Sequence, residues 1–417
     1  MRQRLTVAIG GICLLAVGLW GCPQAIRTEL DYAKADIAIM RGDYEQAAEL
    51  LTSYVAAKPE SVDARAQLGF ALMKTGKLKE AEKELRAALD LKPGEPKAVL
   101  NLGLTLLNQN RVPEAIAVFR GYTNPETPEI EAEIKRQLTL ILISHSRQLA
   151  AKAMAAEKMR SDTPPTPNTV AVCYYKDLSD DQQMRAYQKG LAAMVISDLS
   201  KVKSLRVLER LRLQALLEEM KLGQTGIVDE NTAPRFGRLL QVENVVVGSL
   251  SPGSILVATA VNGRKSGTAS AAVEQQDFFQ LPMIITRDIV KILGIVLTPE
   301  ENEAVGRPHT KNLKAFLFYG QGLDALDQGN WQGASEYFMK ALEQDPRFDL
   351  AAEALASCPG ADAPPISQLA VMTGPQLAIQ VEEGVQRVLK VQSEEDLTKA
   401  GDARGGKEGD GGNGGGH

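Results

Sequence analysis

Glu209 and Arg210 stand side by side in LRVLERLRLQALLEE, an acid that could move a proton next to a cation that could hold an anion. The same pair also reads as an ion pair at a strand end, or as charge at the start of the following helix. Asp177, Asp180 and Asp181 gather where a helix begins, and carboxylates there cap free backbone N–H groups. Glu218 and Glu219 fall on a solvated helix face. GSLSPGS, from Gly248 to Ser254, has neither the lysine nor the spacing of a phosphate-binding loop. His309 lies in GRPHT with no acid or nucleophile close in sequence, and with His145 it makes too few ligands for a metal cluster. No active site emerges, so the expectation is a protein that is not an enzyme and holds no metal or cofactor. A hydrolase assembled from residues far apart in the chain stays open.

One thiol does imply chemistry. MRQRLTVAIGGICLLAVGLWGC opens with Arg2 and Arg4, continues uncharged from Leu5 to Trp20, and ends on Cys22. Such a basic, then apolar, then small-residue order is that of a secretory signal. These sixteen mostly apolar residues are marginal for a membrane span, which needs roughly 20. Leu19-Trp20-Gly21-Cys22 resembles the lipobox of bacterial lipoproteins, with Trp20 departing from the small residue usual at its place. The resemblance implies acylation of Cys22, cleavage of residues 1–21 and a body outside the cytoplasm. The other reading is an uncleaved N-terminal anchor helix. Pro23-Gln24 offers no aspartate after the cysteine to retain the protein at the inner membrane, so the expected location is the periplasmic face of the outer membrane. Several acyl chains, at about 0.8 kcal/mol per buried CH2, would make attachment effectively permanent.

Of the four cysteines, Cys173 and Cys358 remain in the body. They could pair in an oxidising compartment, but fall in different modules and read better as small buried hydrophobes. Acidic residues number 52 against 47 basic ones, two of them in the leader. That balance argues against a nucleic-acid partner. Hydrophobic residues at 44% and charged residues at 24% are those of a globular body.

Elements that would position a binding face repeat every 34 residues. Leu68-Gly69, Ala81, Leu85, Ala88 and Pro93 have counterparts at Lys34-Ala35, Ala47, Leu51, Tyr54 and Pro59, and at Leu102-Gly103, Ala115, Phe119 and Tyr122. Small residues at a helix crossing let two helices approach, while large ones fill the groove between neighbours. Gly42, Gly76 and Asn110 fall in the intra-repeat turns. The pattern is similar to the tetratricopeptide repeat. A fourth copy downstream carries Gly322, Gly329, Ala334, Phe338, Ala341 and Pro346, and must dock on the middle domain or on a helix such as Leu350 to Ala356. A helix from about Glu129 to Met159 would cap the first array with Ile130, Ile134, Leu138, Ile141 and Leu142 on one stripe.

Between the repeats the pattern alternates. Strands are expected over Thr169 to Tyr175, Leu205 to Arg210 and Glu243 to Leu250, followed by a hairpin turning at Asn262-Gly263. Helices are expected over Asp181 to Lys201, through LQALLEEMKL, and over Leu281 to Leu293. Asp198-Leu199, Leu208-Glu209-Arg210, Leu213, Leu216-Leu217, Leu239 and Val247-Gly248-Ser249 together resemble the CsgG family of curli-secretion lipoproteins. That resemblance implies an α/β domain with a mixed sheet, homo-oligomerisation and docking to envelope proteins. Barrel-forming members insert two long hairpins with strands of about 9–11 residues. Here only Ser251 to Ser254 separates two strands, and one arm of the hairpin is about eight residues, so a hairpin within a soluble sheet is favoured over a pore.

The expected architecture is α+β and multidomain. Residues 1–21 are the signal, 22–122 three repeats forming a helical solenoid, 123–160 a connecting helix and 161–168 a Pro-rich linker. Residues 169–298 form the CsgG-like domain, 312–357 the C-terminal repeat, 358–400 a helical tail and 401–417 a disordered Gly-rich end. Asp63, Phe70, Met73, Lys74, Lys97, Leu104 and Asn108 would line the concave face and take a peptide or protein segment. The expected role is an outer-membrane-anchored scaffold in envelope assembly or export. A subunit of a curli-type secretion channel and an activator of a cell-wall enzyme are the alternatives.

Overall fold

The computed structural model describes residues 23–158, 164–177, 184–220, 228, 232–251, 254–261, 264–272 and 278–388. Residues 1–22, which include the expected signal and Cys22, together with Asp180 and Asp181, Asn262-Gly263 and the Gly-rich tail lie outside the described residues. Two compact units divide the chain, one reaching Ile134 and resuming at Thr373, the other running from Lys135 to Met372.

The first unit is built of helix pairs: α1 (Pro23–Arg41) with α2 (Tyr44–Ala57), α3 (Val62–Lys74) with α4 (Leu78–Leu91), and α5 (Pro96–Asn108) with α6 (Val112–Arg120). Each first helix ends on a left-handed residue, Gly42 at φ 76°, Gly76 at 77° and Asn110 at 58°. The next amide then reaches back five residues: Asp43 to the Ala38 carbonyl, Lys77 to Leu72 and Arg111 to Leu106, each at 2.9 Å. Those bonds close a Schellman cap and reverse the chain at the same place in every repeat.

Packing explains the small and large positions. A Cβ on Gly69 would overlap Leu85 Cγ, and one on Gly103 would overlap the Phe119 ring. Ala47, Ala81 and Ala115 are buried at the crossings. A Gly103→Ala chain should therefore lose about 1–3 kcal/mol in chemical denaturation, because Phe119 must leave its place. An unchanged midpoint would show that the ring moves freely. Helix α7 (Pro128–Lys158) follows, with Ile134 and Ile141 buried and Ile130, Leu138 and Leu142 half-buried.

In the second unit a six-stranded mixed sheet is ordered β3–β1–β4–β5–β6, with β2 also beside β4. Its strands are β1 (Thr166–Val172), β2 (Lys176–Asp177), β3 (Arg206–Val207), β4 (Val242–Ser251), β5 (Ser254–Val261) and β6 (Arg264–Ala272). β1 runs parallel to β3 and β4, while β4, β5 and β6 are antiparallel, with Asn244 opposite Val261 and Ser251 opposite Ser254. Helices α8 (Met184–Ser200), α9 (Arg210–Glu219) and α10 (Ala233–Leu240) alternate with the strands, and α11 (Leu281–Ile292) packs on α8. Val170, Val172, Val246 and Val247 are buried, as strands covered on both faces require.

Two expectations are corrected here. The Pro-rich stretch was expected as a spacer through residue 168, yet β1 begins at Thr166. A register shift between Thr166 and Val170, with Asn168 at φ 58°, places Pro167 in a bulge where it owes the ladder no hydrogen bond. Asp177 was expected at a helix start and instead lies in β2.

The C-terminal repeat, α13 (Leu313–Asp327) and α14 (Trp331–Gln344), follows α12 (Pro299–Val305). It repeats the turn, with Gly329 at φ 73° and the Asn330 amide 2.9 Å from the Ala325 carbonyl, and it repeats the overlap that a Cβ on Gly322 would have with Phe338. α15 (Asp349–Ser357) covers one side, with the Tyr319 and Phe348 rings 5.0 Å apart. α13 covers α8 on the other, where Phe316 meets Tyr187 edge-on at 5.0 Å. Cys173 and Cys358 are free and buried, as their reading as hydrophobes required. A short α16 (Ile366–Leu369) precedes the last described helix, α17, over residues 374–388.

Candidate protein-interaction site

Four of the seven residues expected on the array face assemble into two pairs. Lys97 of α5 places its Nζ 2.9 Å from Asp63 of α3, and the Tyr32 hydroxyl and Gln67 amide also donate to that carboxylate. Burial pulls the Asp63 carboxyl upward, but the Tyr32 hydroxyl and the Lys97 ammonium outweigh it and hold it below the usual carboxylate range. Phe70 meets Tyr44 edge-on at 5.7 Å, and Lys74 Nζ sits 5.5 Å from the Phe70 ring centre. Apart from Tyr44, which opens α2, these groups come from the first helices of consecutive repeats, which the 34-residue period stacks side by side.

Asn108 turns its amide to the Leu104 carbonyl at 3.0 Å, bonding to its own helix. Met73 and Leu104 were expected as groups open to a partner. They are 6% and 2% exposed, so they belong to the interior instead. Another segment of the chain lies at the ends of α3 and α5. Glu382 of α17 lies 2.5 Å from Lys74, and the Gly374 amide donates to Asn110 Oδ1 at 3.2 Å. Repeat position alone did not tell that Met73 and Leu104 are buried.

Sequence reasoning missed a second cluster, in the other unit. Lys189 of α8 donates to Asp327 Oδ2 at 2.7 Å and to Asp324 Oδ1 at 2.6 Å, and Arg210 donates to Asp327 Oδ1 at 2.5 Å and to the Tyr174 hydroxyl at 3.2 Å. Arg210, expected in a strand-end ion pair beside Glu209 or as charge at a helix start, opens α9 and pairs with Asp327, 117 residues away. Burial works against charge on Asp327, yet Arg210 and Lys189 together keep its carboxyl below the usual range. With every charge compensated and Asp327 only 2% exposed, the cluster is a clamp between α8, α9 and α13.

Other chemistry-bearing residues are likewise engaged. His309, expected without an acid near it in sequence, has Nε2 3.0 Å from buried Asp198, which also accepts from Lys201 at 2.6 Å. The neighbouring Thr310 hydroxyl donates to Asp345 at 2.6 Å. Glu218, expected on a solvated face, pairs with Arg147 and accepts from Gln214 at 2.8 Å, while Glu219 is exposed. Among the described residues no group of three His, Cys, Asp or Glu side chains is placed to hold a metal ion.

With this geometry in place, the family comparisons decide the composition of the chain. Residues 142–276 match the family described as curli production assembly/transport component CsgG. Residues 38–89, 67–129 and 319–358 match tetratricopeptide-repeat profiles. This chain joins a CsgG domain to tetratricopeptide repeats. No curated protein matches it. Among solved structures, a mutant O-GlcNAc transferase of Thermobaculum terrenum is 17% identical over 47% of this chain and 41% of its own, with a TM-score of 0.26. A tetratricopeptide repeat protein from Parabacteroides merdae is 13% identical over 79% and 97%, also at 0.26. Yeast Tom70 is 13% identical over 79% and 64%, at 0.24. The chain thus spans about two fifths of the transferase's length. Among the described residues no helix is long and apolar enough to cross a membrane.

Proposed function

We propose that this protein is a lipid-anchored scaffold on the periplasmic face of the outer membrane. Its repeat array recognises a protein segment during envelope assembly or export, and its CsgG domain serves self-association or docking. It does no covalent chemistry of its own. The observation that carries this reading is the union of tetratricopeptide repeats and a CsgG domain in one chain, behind a basic and then apolar N-terminal stretch that reaches Cys22. The clusters able to do chemistry support it too, since Asp327, Arg210 and Lys189 spend their charge on one another. A secretion pore is less well supported, because β5 and β6 pair with β4 in the domain's own sheet.

Anchoring is tested by Cys22→Ser. The expected outcome is a chain that leaves the membrane fraction and loses the mass of its acyl groups. A variant equally membrane-bound and unchanged in mass, apart from the substituted atom, would refute the anchor.

A further inference from the structure

Helix α17 carries its own start signal. The Thr373 amide and hydroxyl meet Gln376 Oε1 at 2.8 and 3.1 Å, the Leu377 amide reaches the Thr373 carbonyl at 3.0 Å, and Pro375 fills the first turn. Leu377, Ala378, Val381 and Val385 are at most 3% exposed, and Gly374 and Gly384 are buried on the same stripe. Pro375, Gln376, Ile379, Glu383, Gln386 and Arg387 face outward. Spacing of three and four residues makes this an amphipathic helix with a narrow apolar face.

That face lies on the array, in the same compact unit. At one end Gly374 touches the Leu107 carbonyl so closely that a Cβ would overlap it, and would stand 2.9 Å from Asn110 Oδ1. Eight residues on, Glu382 meets Lys74. Eight helical residues span about 12 Å, so α17 crosses from the C-terminal end of α5 to that of α3. It therefore lies across the C-terminal ends of the first helices of repeats two and three, the helices that carry the buried Met73 and Leu104.

We propose that α17 is an internal occupant of the array's recognition groove, and that the external partner is an amphipathic helix of the same pattern which exchanges with it. Counting Gly374 as position one, the partner carries a glycine or alanine there. Aliphatic residues follow at positions four, five, eight and twelve, and a carboxylate at position nine faces Lys74. This proposal rests on the reading of the array as protein-binding. Exchange is feasible because the occupant is lightly held. Its apolar stripe holds one leucine, one alanine and two valines, and both partners of its ion pair remain about a quarter exposed. Tethering opposes exchange, since a short flexible linker gives an effective concentration on the order of mM. The partner must overcome that with larger aliphatic side chains.

A fluorescent peptide of residues 373–390 is the probe, and anisotropy the readout, on the full chain. A chain carrying Leu377→Asp and Val381→Asp, with its own helix expelled, should bind the peptide at least about tenfold more tightly than the parent. Adding Lys74→Glu should weaken that binding several-fold, and a peptide with Glu382→Lys should restore it. Equal binding by parent and expelled chain, with helical circular dichroism intact, would overturn the proposal, as would failure of the charge swap to rescue. A second measurement does not depend on the variant folding. Saturating peptide should speed hydrogen exchange over 374–388 in the parent chain, and unchanged exchange would overturn the proposal. Light scattering must show the same oligomeric state for parent and expelled chain, with and without peptide; a larger assembly formed by trading α17 between copies would overturn it as well. Failure here leaves the lipid anchor and the CsgG domain's role standing, whereas loss of the Cys22 phenotype would leave the groove standing.

Discussion

An Asp327→Asn chain should melt about 10 °C below the parent. Asp327 is the shared anion of a buried cluster, holding Lys189 through one oxygen and Arg210 through the other. Removing its charge leaves Arg210 without a carboxylate and Lys189 with Asp324 alone, at a place burial has already stripped of water. Breaking such a pair costs about 3–5 kcal/mol, and each kcal/mol shifts melting by about 2–4 °C in a unit of this size. The same change alters the pH dependence. The Asp327 carboxyl is held below its unfolded value of about 3.9, so its contribution is full above that value and is lost as pH falls through the folded one. In the parent, stability should therefore fall as pH drops below about 4, and Asp327→Asn should flatten that part of the curve. Scanning calorimetry between pH 2 and 7 checks both expectations. A melting point within a degree of the parent would show that the cluster is solvated.

Gly320→Ala should destabilise the same unit at or above the upper end of the 1–3 kcal/mol typical of overpacking. Gly320 of α13 lies against the backbone carbonyl of Ala186 on α8, where a Cβ would overlap both the carbonyl oxygen and its carbon. Backbone cannot rotate aside as a side chain can. Gly190, one turn on along α8, makes the reciprocal approach, since a Cβ there would stand 2.8 Å from the Phe316 ring. The substitution should thus prise the C-terminal repeat from α8 and expose Phe316 and Tyr187. Urea unfolding and tyrosine fluorescence measure it. A wild-type midpoint would mean the two helices can slide apart without loss.

The repeats were legible because their physics is local. The Gly103–Phe119 overlap and the Asn110 turn lie within one helix pair, so spacing alone reveals them. The mixed sheet followed from alternating patterns, with α8, α9 and α11 near their expected places. The clamp was not legible, because Lys189 and Asp327 are 138 residues apart and each alone resembles a surface charge. Pro167 misled for a related reason: proline forbids a ladder bond, but a bulge needs none at that residue. The stripe on α17 could be read from its period, whereas its seat against Lys74 and Asn110 depends on tertiary structure.

The central claim is that the first-helix face of repeats two and three is where this protein holds its partner. Photo-crosslinking in cells tests it most directly, with the reactive side chain at Phe70 or at Lys97, whose side chain is 60% exposed, and at exposed Lys83 on α4 as the control. The same adduct should form from positions 70 and 97 and be missing from 83. Adducts of equal yield from all three positions, or none from the first two, would contradict the account.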